Sequence, residues 1–250
     1  MADIWNYKDA YNSYRVVQAG NSIRLYRNNV LHSQWNAKNP MSGKLWDLFL
    51  ISSLGLKDNL SHVLVLGAGG GAVINLIHYY YPDAYIHAID LDNIHLDIAK
   101  KYFNISKRKC KLVHDDAEAW LRNYNGSKFD LIIDDVFNET NQVPYRSIDS
   151  KSSWIKILLK NLTKNGILVF NFADRIERKS NFKLWKPWLE NKNIAAASHY
   201  KCDNEVVHIS NNKISRKDVV LMLKENNYKD YMKYMSNGTI SYKTLTNIIC

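Results

Sequence analysis

Cysteine, proline and long apolar runs are scarce in this sequence. Its 250 residues include 3 cysteines and 4 prolines. Cys110, Cys202 and Cys250 have no Cys-x-x-Cys spacing, so the cysteines indicate neither a zinc site nor a disulfide framework. No apolar run approaches the ~20 residues that a membrane-spanning helix needs, and the first residues lack the basic and apolar regions of a signal peptide. We therefore expect a cytoplasmic protein without a metal or a membrane partner.

Acidic residues are outnumbered by basic ones. The chain has 24 Asp and Glu against 34 Lys and Arg, a formal net charge of +10. Such a charge permits binding to nucleic acid. The lysines are scattered, however, along a chain rich in Asn, Ile and Tyr throughout, so a compositional bias accounts for most of the excess. Nucleic acid is therefore a partner that the sequence allows but does not favour.

The most informative stretch is a glycine-rich turn at 67–71. It follows an apolar run at 62–66 and precedes apolar residues at helical spacing. A strand, a glycine turn and a helix in this order present backbone N–H groups to a nucleotide. Asp90 ends the next apolar run, about 20 residues after the first glycine, where a carboxylate can accept hydrogen bonds from a ribose. The pattern predicts a nucleotide site that includes Gly67, Gly69, Gly71 and Asp90.

Strands and helices alternate regularly after residue 62. Strands are predicted at 62–66, 84–89, 111–114, 130–133, 167–172 and 205–209. Helices are predicted at about 70–81, 93–103, 150–162 and 181–191, with another from residue 117. This alternation is typical of an α/β protein with a doubly wound, mostly parallel Rossmann-like sheet.

Segments of different character flank this alternation. Short strands with turns at 19–21 and 28–29 predict a small N-terminal antiparallel β unit, and residues 42–54 predict a connecting helix. Ser215 and Asp218 have capping-box spacing and open a helical C-terminal extension. We therefore divide the chain into an N-terminal unit at 1–55, a nucleotide-binding domain at 56–212 and the extension at 213–250.

Acids follow the second, third and fourth predicted strands. They are Asp90, Asp92, Asp115, Asp116, Asp134 and Asp135. Ligands bind beyond the carboxyl ends of parallel strands, and these ends share one edge of the sheet. The segment 67–72 also fits the G-x-G-x-x-A motif of dinucleotide enzymes, but that class offers no special reason for the later acids. A nucleoside across the first three strands, with a reacting centre at the fourth, accounts for the acids better.

The stretch 62–172 resembles the class I S-adenosylmethionine-binding fold, and within it the spermidine synthase-like branch. The residues that carry the resemblance are the run 63–71, Ile89-Asp90-Leu91-Asp92, Asp116-Ala117, and the segments 129–135 and 165–171. The resemblance implies that Asp90 holds ribose hydroxyls, Asp116 holds the adenine amino group, and the glycine loop lies under the methionine-derived part. It also implies that Asp135 contacts this nucleoside and accepts a proton from an attacking amine.

The chain departs from this branch at several positions. Polyamine-forming members carry an acid inside the glycine loop where this chain has Gly70, and Tyr-His-Glu where it has Leu45-Trp46-Asp47. A polyamine has several ammonium groups, each of which needs a carboxylate or an aromatic face. Trp46, Asp47 and Asp134 are the candidate substrate-binding residues that remain. The departures weaken aminopropyl transfer specifically, and leave sulfonium nucleoside binding intact.

The sequence thus predicts an alkyltransferase that uses S-adenosylmethionine or its decarboxylated form as a substrate. It would move a methyl or aminopropyl group to a small acceptor, an amine by the resemblance, with Asp135 as the base. A homodimer is compatible with this interpretation. Two alternatives stay open: a nucleoside-binding regulatory protein without turnover, and a nucleic-acid methyltransferase. Outside these motifs, Arg175, Arg178 and Lys179 lie near the active edge, where they can meet an anion.

Overall fold

The computed structural model describes residues 1–55, 59–140, 143–146 and 152–245. These residues form an 8-stranded sheet, a separate 4-stranded sheet and a 2-stranded hairpin. No helix of the described residues is long and apolar enough to cross a membrane.

The N-terminal strands form an antiparallel sheet in chain order. They are β1 Ala2–Lys8, β2 Ser13–Ala19, β3 Ser22–Arg27 and β4 Val30–Trp35. Asn28 and Asn29 connect β3 to β4 with positive φ angles of 48° and 67°. Asparagine tolerates this left-handed conformation better than most residues, and two such residues match the twist of a hairpin. The predicted antiparallel unit is confirmed.

The connector between the two sheets is a short buried helical segment. It consists of a 3₁₀ helix at Leu45–Leu50 followed directly by helix α1, Ile51–Leu54. All residues from Trp46 to Leu54 are buried. The sequence predicted one amphipathic helix at 42–54. The tighter 3₁₀ turn forms instead because the Asp47 carboxylate accepts hydrogen bonds from the amides of 42–44 and closes the first turn.

The central sheet begins with four parallel strands along the chain. They are β5 His62–Leu66, β6 Tyr85–Asp90, β7 Cys110–His114 and β8 Phe129–Asp134. A hairpin of β9 Phe137–Thr140 and β10 Val143–Arg146 follows. The remaining strands are β11 Leu162–Phe172, β12 Asn193–His199, β13 Glu205–Ser210 and β14 Ile240–Thr244.

The strand order across this sheet is β14-β12-β13-β11-β8-β5-β6-β7. Strands β5 to β8 and β11 pair in parallel, and β12 to β14 pair antiparallel. Strand β5 pairs with both β6 and β8, so the chain reverses its winding direction there. Such a switch point leaves a crevice at the carboxyl ends of the strands. The predicted doubly wound, mostly parallel sheet is confirmed.

Two apolar clusters cover the two faces of the sheet. Val63 and Val65 belong to one, and Leu64 and Leu66 to the other, because successive strand residues point to opposite faces. The first face is covered by the connector and by α2 Ala72–Tyr80, α3 Asn93–Tyr102, and later α7 Arg216–Glu225 and α8 Lys229–Ser236. The second is covered by α4 Ala117–Asn123, α5 Ser152–Asn161 and α6 Arg175–Leu189.

Several predicted elements need correction. The C-terminal extension is not wholly helical, because β14 follows α8 and pairs with β12 at the edge of the sheet. The alternation of buried Ile240 and Tyr242 with more exposed neighbours is a strand pattern. The sequence analysis also did not predict β12, and it placed the first residues of β11 and α6 too late in the chain. The helix predicted at 150–162 is observed from Ser152, and residues 147–151 lie outside the described ranges.

Candidate active site

A cavity of about 740 Å³ opens at the carboxyl ends of the parallel strands. Its floor comes from the segments that follow β5, β6, β7 and β8, and its cover comes from β2, β3 and β4 of the N-terminal sheet. The predicted site residues that line it are Gly67, Gly69, Asp90, Asp116, Asp135 and Trp46. Gly71, Asp47 and Asp134 are not among its lining residues. The structure therefore brings together six of the nine positions that the sequence singled out.

The glycine loop packs closely on the backbone that follows β8. Gly67 has a φ of +84°, and a Cβ atom there would fall 2.2 Å from the carbonyl oxygen of Asp135. Only glycine permits this approach. Gly71 also has a positive φ and begins α2, but it packs against Ile105 and not against the cavity. Gly71 thus supports the loop on the side away from the cavity, and Gly67 and Gly69 form the surface that lines the cavity.

Asp90 is held in place by three neighbours. Its carboxylate accepts hydrogen bonds from the amides of Gly69 at 2.7 Å and Asp92 at 2.8 Å, and lies 3.6 Å from Nδ1 of His95. Burial favours the neutral acid, but the hydrogen bonds and the His95 charge outweigh it and lower the pKa of Asp90. Asp90 is therefore a fixed, ionised acceptor beside the glycine loop.

His95 is a site residue that the sequence analysis missed. Its ring lies between the carboxylates of Asp90 and Asp92, at 3.6 and 3.7 Å. Burial alone would lower the pKa of His95, but the two acids outweigh burial and raise it. The Asp92-x-x-His95 spacing puts both residues on one turn of α3, and this spacing was the available signal.

The N-terminal sheet reaches into the same cluster. The hydroxyl of Tyr14 donates a hydrogen bond of 2.8 Å to Asp92, and Nε of Arg27 lies 4.0 Å from the same carboxylate oxygen. The His32 ring stands 5.1 Å from the His95 ring. Asp92 in turn caps α3 by accepting a hydrogen bond from the amide of Ile94. These contacts fix the cover of the cavity to its floor.

Asp116 lies at the carboxyl end of the third parallel strand. It caps α4, because its carboxylate accepts a hydrogen bond of 2.8 Å from the amide of Ala119. Asp116 and Ala117 both line the cavity. The cap engages Oδ1 of the carboxylate, which can accept further hydrogen bonds through its remaining lone pairs.

Asp135 is half-buried where β8 ends. Nδ2 of Asn171 donates a hydrogen bond of 2.7 Å to its carboxylate, and Nδ2 of Asn204 donates to the Asn171 side-chain oxygen at 3.1 Å. Desolvation raises the pKa of Asp135 to about 7, and repulsion from Asp134 and Asp90 adds to this rise. The Asn171 hydrogen bond and the Arg146 charge oppose the rise without cancelling it. Such a carboxyl exchanges its proton near neutral pH.

Asp134, predicted to bind substrate, does not line the cavity. It is fully buried on the face of the sheet covered by α5. Its carboxylate accepts a hydrogen bond of 2.7 Å from Nε1 of Trp154 and lies 2.5 Å from Nη2 of Arg146. The physical reason is the strand period, since neighbouring residues of a strand point to opposite faces. Asp134 is a structural ion-pair partner, and Asp135 faces the cavity.

Asp47, also predicted to bind substrate, does not line the cavity either. It is 1% exposed, and the amides of Ser42, Gly43 and Lys44 together with the Ser42 hydroxyl occupy its carboxylate. Desolvation raises the pKa of Asp47 to about 6 despite these hydrogen bonds. Asp47 therefore closes the turn before the connector. Its neighbour Trp46 does line the cavity, as predicted.

Across the residues with described coordinates, no group of three or more His, Cys, Asp or Glu side chains could hold a metal ion. The acids of the cavity instead contact backbone amides, His95, Tyr14 and Asn171.

A known family matches the part of the chain that carries the glycine loop and the acids at the strand ends. The family model described as "Spermine/spermidine synthase domain" matches residues 50–183, which is 134 of the 250 residues. A probable polyamine aminopropyl transferase of Bifidobacterium longum is 26% identical over 131 residues, 52% of this chain and 28% of that protein. An eEF1A lysine and N-terminal methyltransferase homolog of Drosophila pseudoobscura pseudoobscura is 32% identical over 83 residues, 32% of this chain and 12% of that protein. The chain thus spans less than a third of the length of these curated relatives.

Solved structures share the fold. A probable spermidine synthase from Corynebacterium glutamicum superposes with a TM-score of 0.75 at 15% identity, over 98% of this chain and 91% of that one. Human methyltransferase-like protein 13, solved in complex with SAH, superposes with a TM-score of 0.62 at 17% identity, over 73% of this chain and 90% of that one. These likenesses confirm the class I methyltransferase type of fold.

Proposed function

Because the chain belongs to the spermine/spermidine synthase family, we propose that it is an alkyltransferase. In this proposal it uses S-adenosylmethionine or its decarboxylated form as a substrate, and an amine as the acceptor. The observation that carries the proposal is Asp135, whose pKa of about 7 suits a base and which shares one cavity with the glycine loop and Asp90. The names of the curated relatives, an aminopropyl transferase and a methyltransferase, support the same reaction type.

The cavity suits a sulfonium nucleoside. Its volume of about 740 Å³ lies in the range of small-molecule sites. We assign ribose hydroxyls to Asp90, which is ionised, and the adenine amino group to Asp116, at the end of the next strand. Gly67 and Gly69 allow the ligand to approach the backbone closely. The acids that surround the cavity also favour a positively charged sulfonium over a neutral thioether.

Asp135 has the chemistry of the base in this reaction. The sulfonium substrate carries its own leaving group, so the protein needs mainly to position the reactants and remove a proton. As the amine nitrogen bonds to the transferred carbon, the carbon–sulfur bond breaks and its electron pair stays on sulfur. Asp135 takes the proton that the nitrogen loses. Asn171 holds the carboxylate during this step through its hydrogen bond of 2.7 Å.

The geometry around Gly70 favours a methyl group over an aminopropyl group. A Cβ atom at Gly70 would lie 2.9 Å from Cβ of Ser33 and 3.0 Å from Cε2 of Phe103. The Gly70 amide also donates a hydrogen bond of 2.8 Å to the Ser33 hydroxyl. The β4 strand therefore fills the position where the resemblance leads us to expect an acid for the aminopropyl ammonium. The proposal accordingly ranks S-adenosylmethionine above its decarboxylated form.

A ligand series tests the proposal. The melting temperature is measured with S-adenosylmethionine, its decarboxylated form and methylthioadenosine, and the stabilised complexes are incubated with a panel of amines and analysed by mass spectrometry. We expect stabilisation and a methylated product, both present in the control variant Asp115→Asn, an exposed acid outside the cavity lining. If none of the three nucleosides shifts the melting temperature, the proposal is wrong.

The same series separates the alternatives. Nucleoside binding without product over the whole amine panel would support the regulatory interpretation. Tight, salt-sensitive RNA or DNA binding, with methylation of that nucleic acid, would support the nucleic-acid methyltransferase. An aminopropylated product formed only with the decarboxylated nucleoside would reverse the ranking that Gly70 suggests.

A further inference from the structure

A second pocket, of about 180 Å³, lies between the first turn of α6 and strands β12 and β14, of which β14 is the edge strand of the sheet. Arg175 and Arg178 enter it from α6, and Lys243 enters it from β14. Ser198 and Ser241 also line it, and they are direct partners in the β12–β14 register. The pocket thus combines three cations with two hydroxyl groups, which are the side-chain donors that bind oxyanions.

Arg178 is the buried member of this group. It is 1% exposed, and its Nε pairs with the carboxylate of Glu205. Its Nη1 has no hydrogen-bond partner among the residues that the structure describes. A buried charged donor without an acceptor costs free energy. Because Arg178 lines the pocket, its positive charge adds to the attraction for an oxyanion bound there.

The charge of the pocket also favours an anion. Glu205 is the acid among the described lining residues, and Arg178 already balances it. Arg175 and Lys243 are exposed and add two positive charges. The N-terminus of α6 contributes its dipole, but one of its first-turn amides, that of Glu177, already donates a hydrogen bond to the capping residue Asp174. The side chains, and not the helix end, therefore form the candidate site.

We propose that this pocket binds the phosphate group of a phosphate monoester. Arginine presents paired N–H donors that match phosphate oxygens, and lysine adds a point charge. With about 180 Å³ against about 740 Å³ for the active-site cavity, the pocket encloses a phosphate group and leaves the rest of the ligand outside. The pocket lies next to the active site along the chain, because Glu205 directly follows Asn204. Asn204 donates a hydrogen bond to Asn171, which in turn contacts the proposed base Asp135.

Phosphate binding is measured by titration calorimetry at constant ionic strength, with inorganic phosphate, glycerol 3-phosphate and acetate as probes. We expect saturable binding of both phosphates and much weaker binding of acetate. Arg175→Gln and Lys243→Gln should each weaken phosphate binding at least about fivefold, since each removes one charge-assisted contact. Lys179→Gln is the matched control, because Lys179 is exposed on the same helix turn and does not line the pocket.

The proposal is overturned by either of two outcomes. One is a phosphate dissociation constant above about 10 mM, which is too weak for a specific site. The other is binding that survives unchanged in the Arg175→Gln/Lys243→Gln double variant. Both substituted residues are exposed, so these variants keep the buried Arg178–Glu205 pair and are expected to fold, which circular dichroism checks. The measurement needs no enzyme activity and stands apart from the proposed transferase function.

Discussion

Two adjacent aspartates at the end of β8 have opposite surroundings. Asp134 is fully buried against Arg146 and Trp154, whereas Asp135 is half-buried and faces the cavity beside Asn171. Their chemistry differs accordingly. Asp134 has a cationic partner, Arg146, inside the protein. Burial raises the pKa of Asp135 to about 7 and its acidic neighbours add to the rise, while the Asn171 hydrogen bond opposes it. One residue therefore supports the fold and the other can exchange a proton.

The pH dependence of transfer follows from this pKa. Below it Asp135 is protonated and cannot accept a proton, so the rate with saturating substrates should rise with pH and level off above about 7. Asp135→Asn should lower the rate at least about 100-fold at every pH and remove this rise, while nucleoside binding is kept. Rates measured by mass spectrometry between about pH 5 and 9 check this. A variant that keeps the wild-type rate would show that Asp135 is not the base.

Removal of the Asp134 carboxylate should destabilise the fold. Asp134→Ala leaves the guanidinium of Arg146 buried without its counter-ion and the Trp154 indole without its acceptor. We expect a loss of about 3–5 kcal/mol in the free energy of unfolding, measured by urea denaturation. Asp97→Asn, on the exposed side of α3, is the control and should change stability by less than about 0.5 kcal/mol. A change at Asp134 as small as that at Asp97 would contradict the structural role.

At the scale of elements, the sequence predicted the features whose causes lie within a few neighbouring residues. The glycine loop, the β5–β8 alternation and the Asn28-Asn29 turn all have short-range causes. The pairing of β14 with β12 joins residues about 45 positions apart, as for Ala197 and Tyr242, and no local pattern predicts which strand will be its partner. The docking of the N-terminal sheet over α3 is likewise tertiary, which is why Tyr14 was missed.

The places of some predicted site residues follow from the sequence, and those of others do not. Asp134 and Asp135 are neighbours on a strand, so the period of two already implied that one of them faces away from the cavity. The role of Asp47 was harder to predict. Its carboxylate binds amides that precede it by only three to five residues, but a cap and a substrate ligand look alike in sequence. Asp90, the last residue of β6, lines the cavity as expected, because its position follows from the strand end.

The glycine loop yields a prediction that separates backbone conformation from close contact. In Gly67→Ala the new Cβ would meet the Asp135 carbonyl oxygen at 2.2 Å, so the loop must move away from β8. We expect a loss of at least about 2 kcal/mol in stability and of most nucleoside affinity. Gly20 has a φ of +60°, and a Cβ atom added there would meet nothing within 4 Å. Gly20→Ala should therefore lower stability by only about 1 kcal/mol, the cost of a left-handed backbone.

Thermal unfolding with and without S-adenosylmethionine measures both effects. Gly20→Ala should keep the full ligand-induced rise in melting temperature, because Gly20 lies in the β2–β3 turn away from the cavity lining. Equal behaviour of the two variants would mean that the close approach of Gly67 to Asp135 does not shape the site.

At the scale of the whole molecule, one apolar cluster joins parts that the sequence assigned to different units. It includes Val16 of β2, Phe49 of the connector, Val65 of β5 and Tyr231 of α8. Two buried hydrogen bonds reinforce this junction. Tyr231 donates to the Asp47 carbonyl oxygen at 2.7 Å, and the Tyr242 and Ser52 hydroxyls lie 2.8 Å apart. The division at 1–55, 56–212 and 213–250 stays a prediction. Because the three segments share this cluster, we expect them to unfold together.

Tyr231→Phe tests this cooperativity. The substitution leaves the buried carbonyl of Asp47 without its donor, and the cost should be about 1–3 kcal/mol. If the segments unfold together, urea unfolding followed by tryptophan fluorescence and by far-UV circular dichroism should give one shared midpoint, and the variant should shift both signals equally. Tyr11→Phe, at a residue that is 90% exposed, should shift neither. A variant in which only part of the dichroism signal moves, with the fluorescence midpoint unchanged, would show that the C-terminal segment unfolds independently of the sheet.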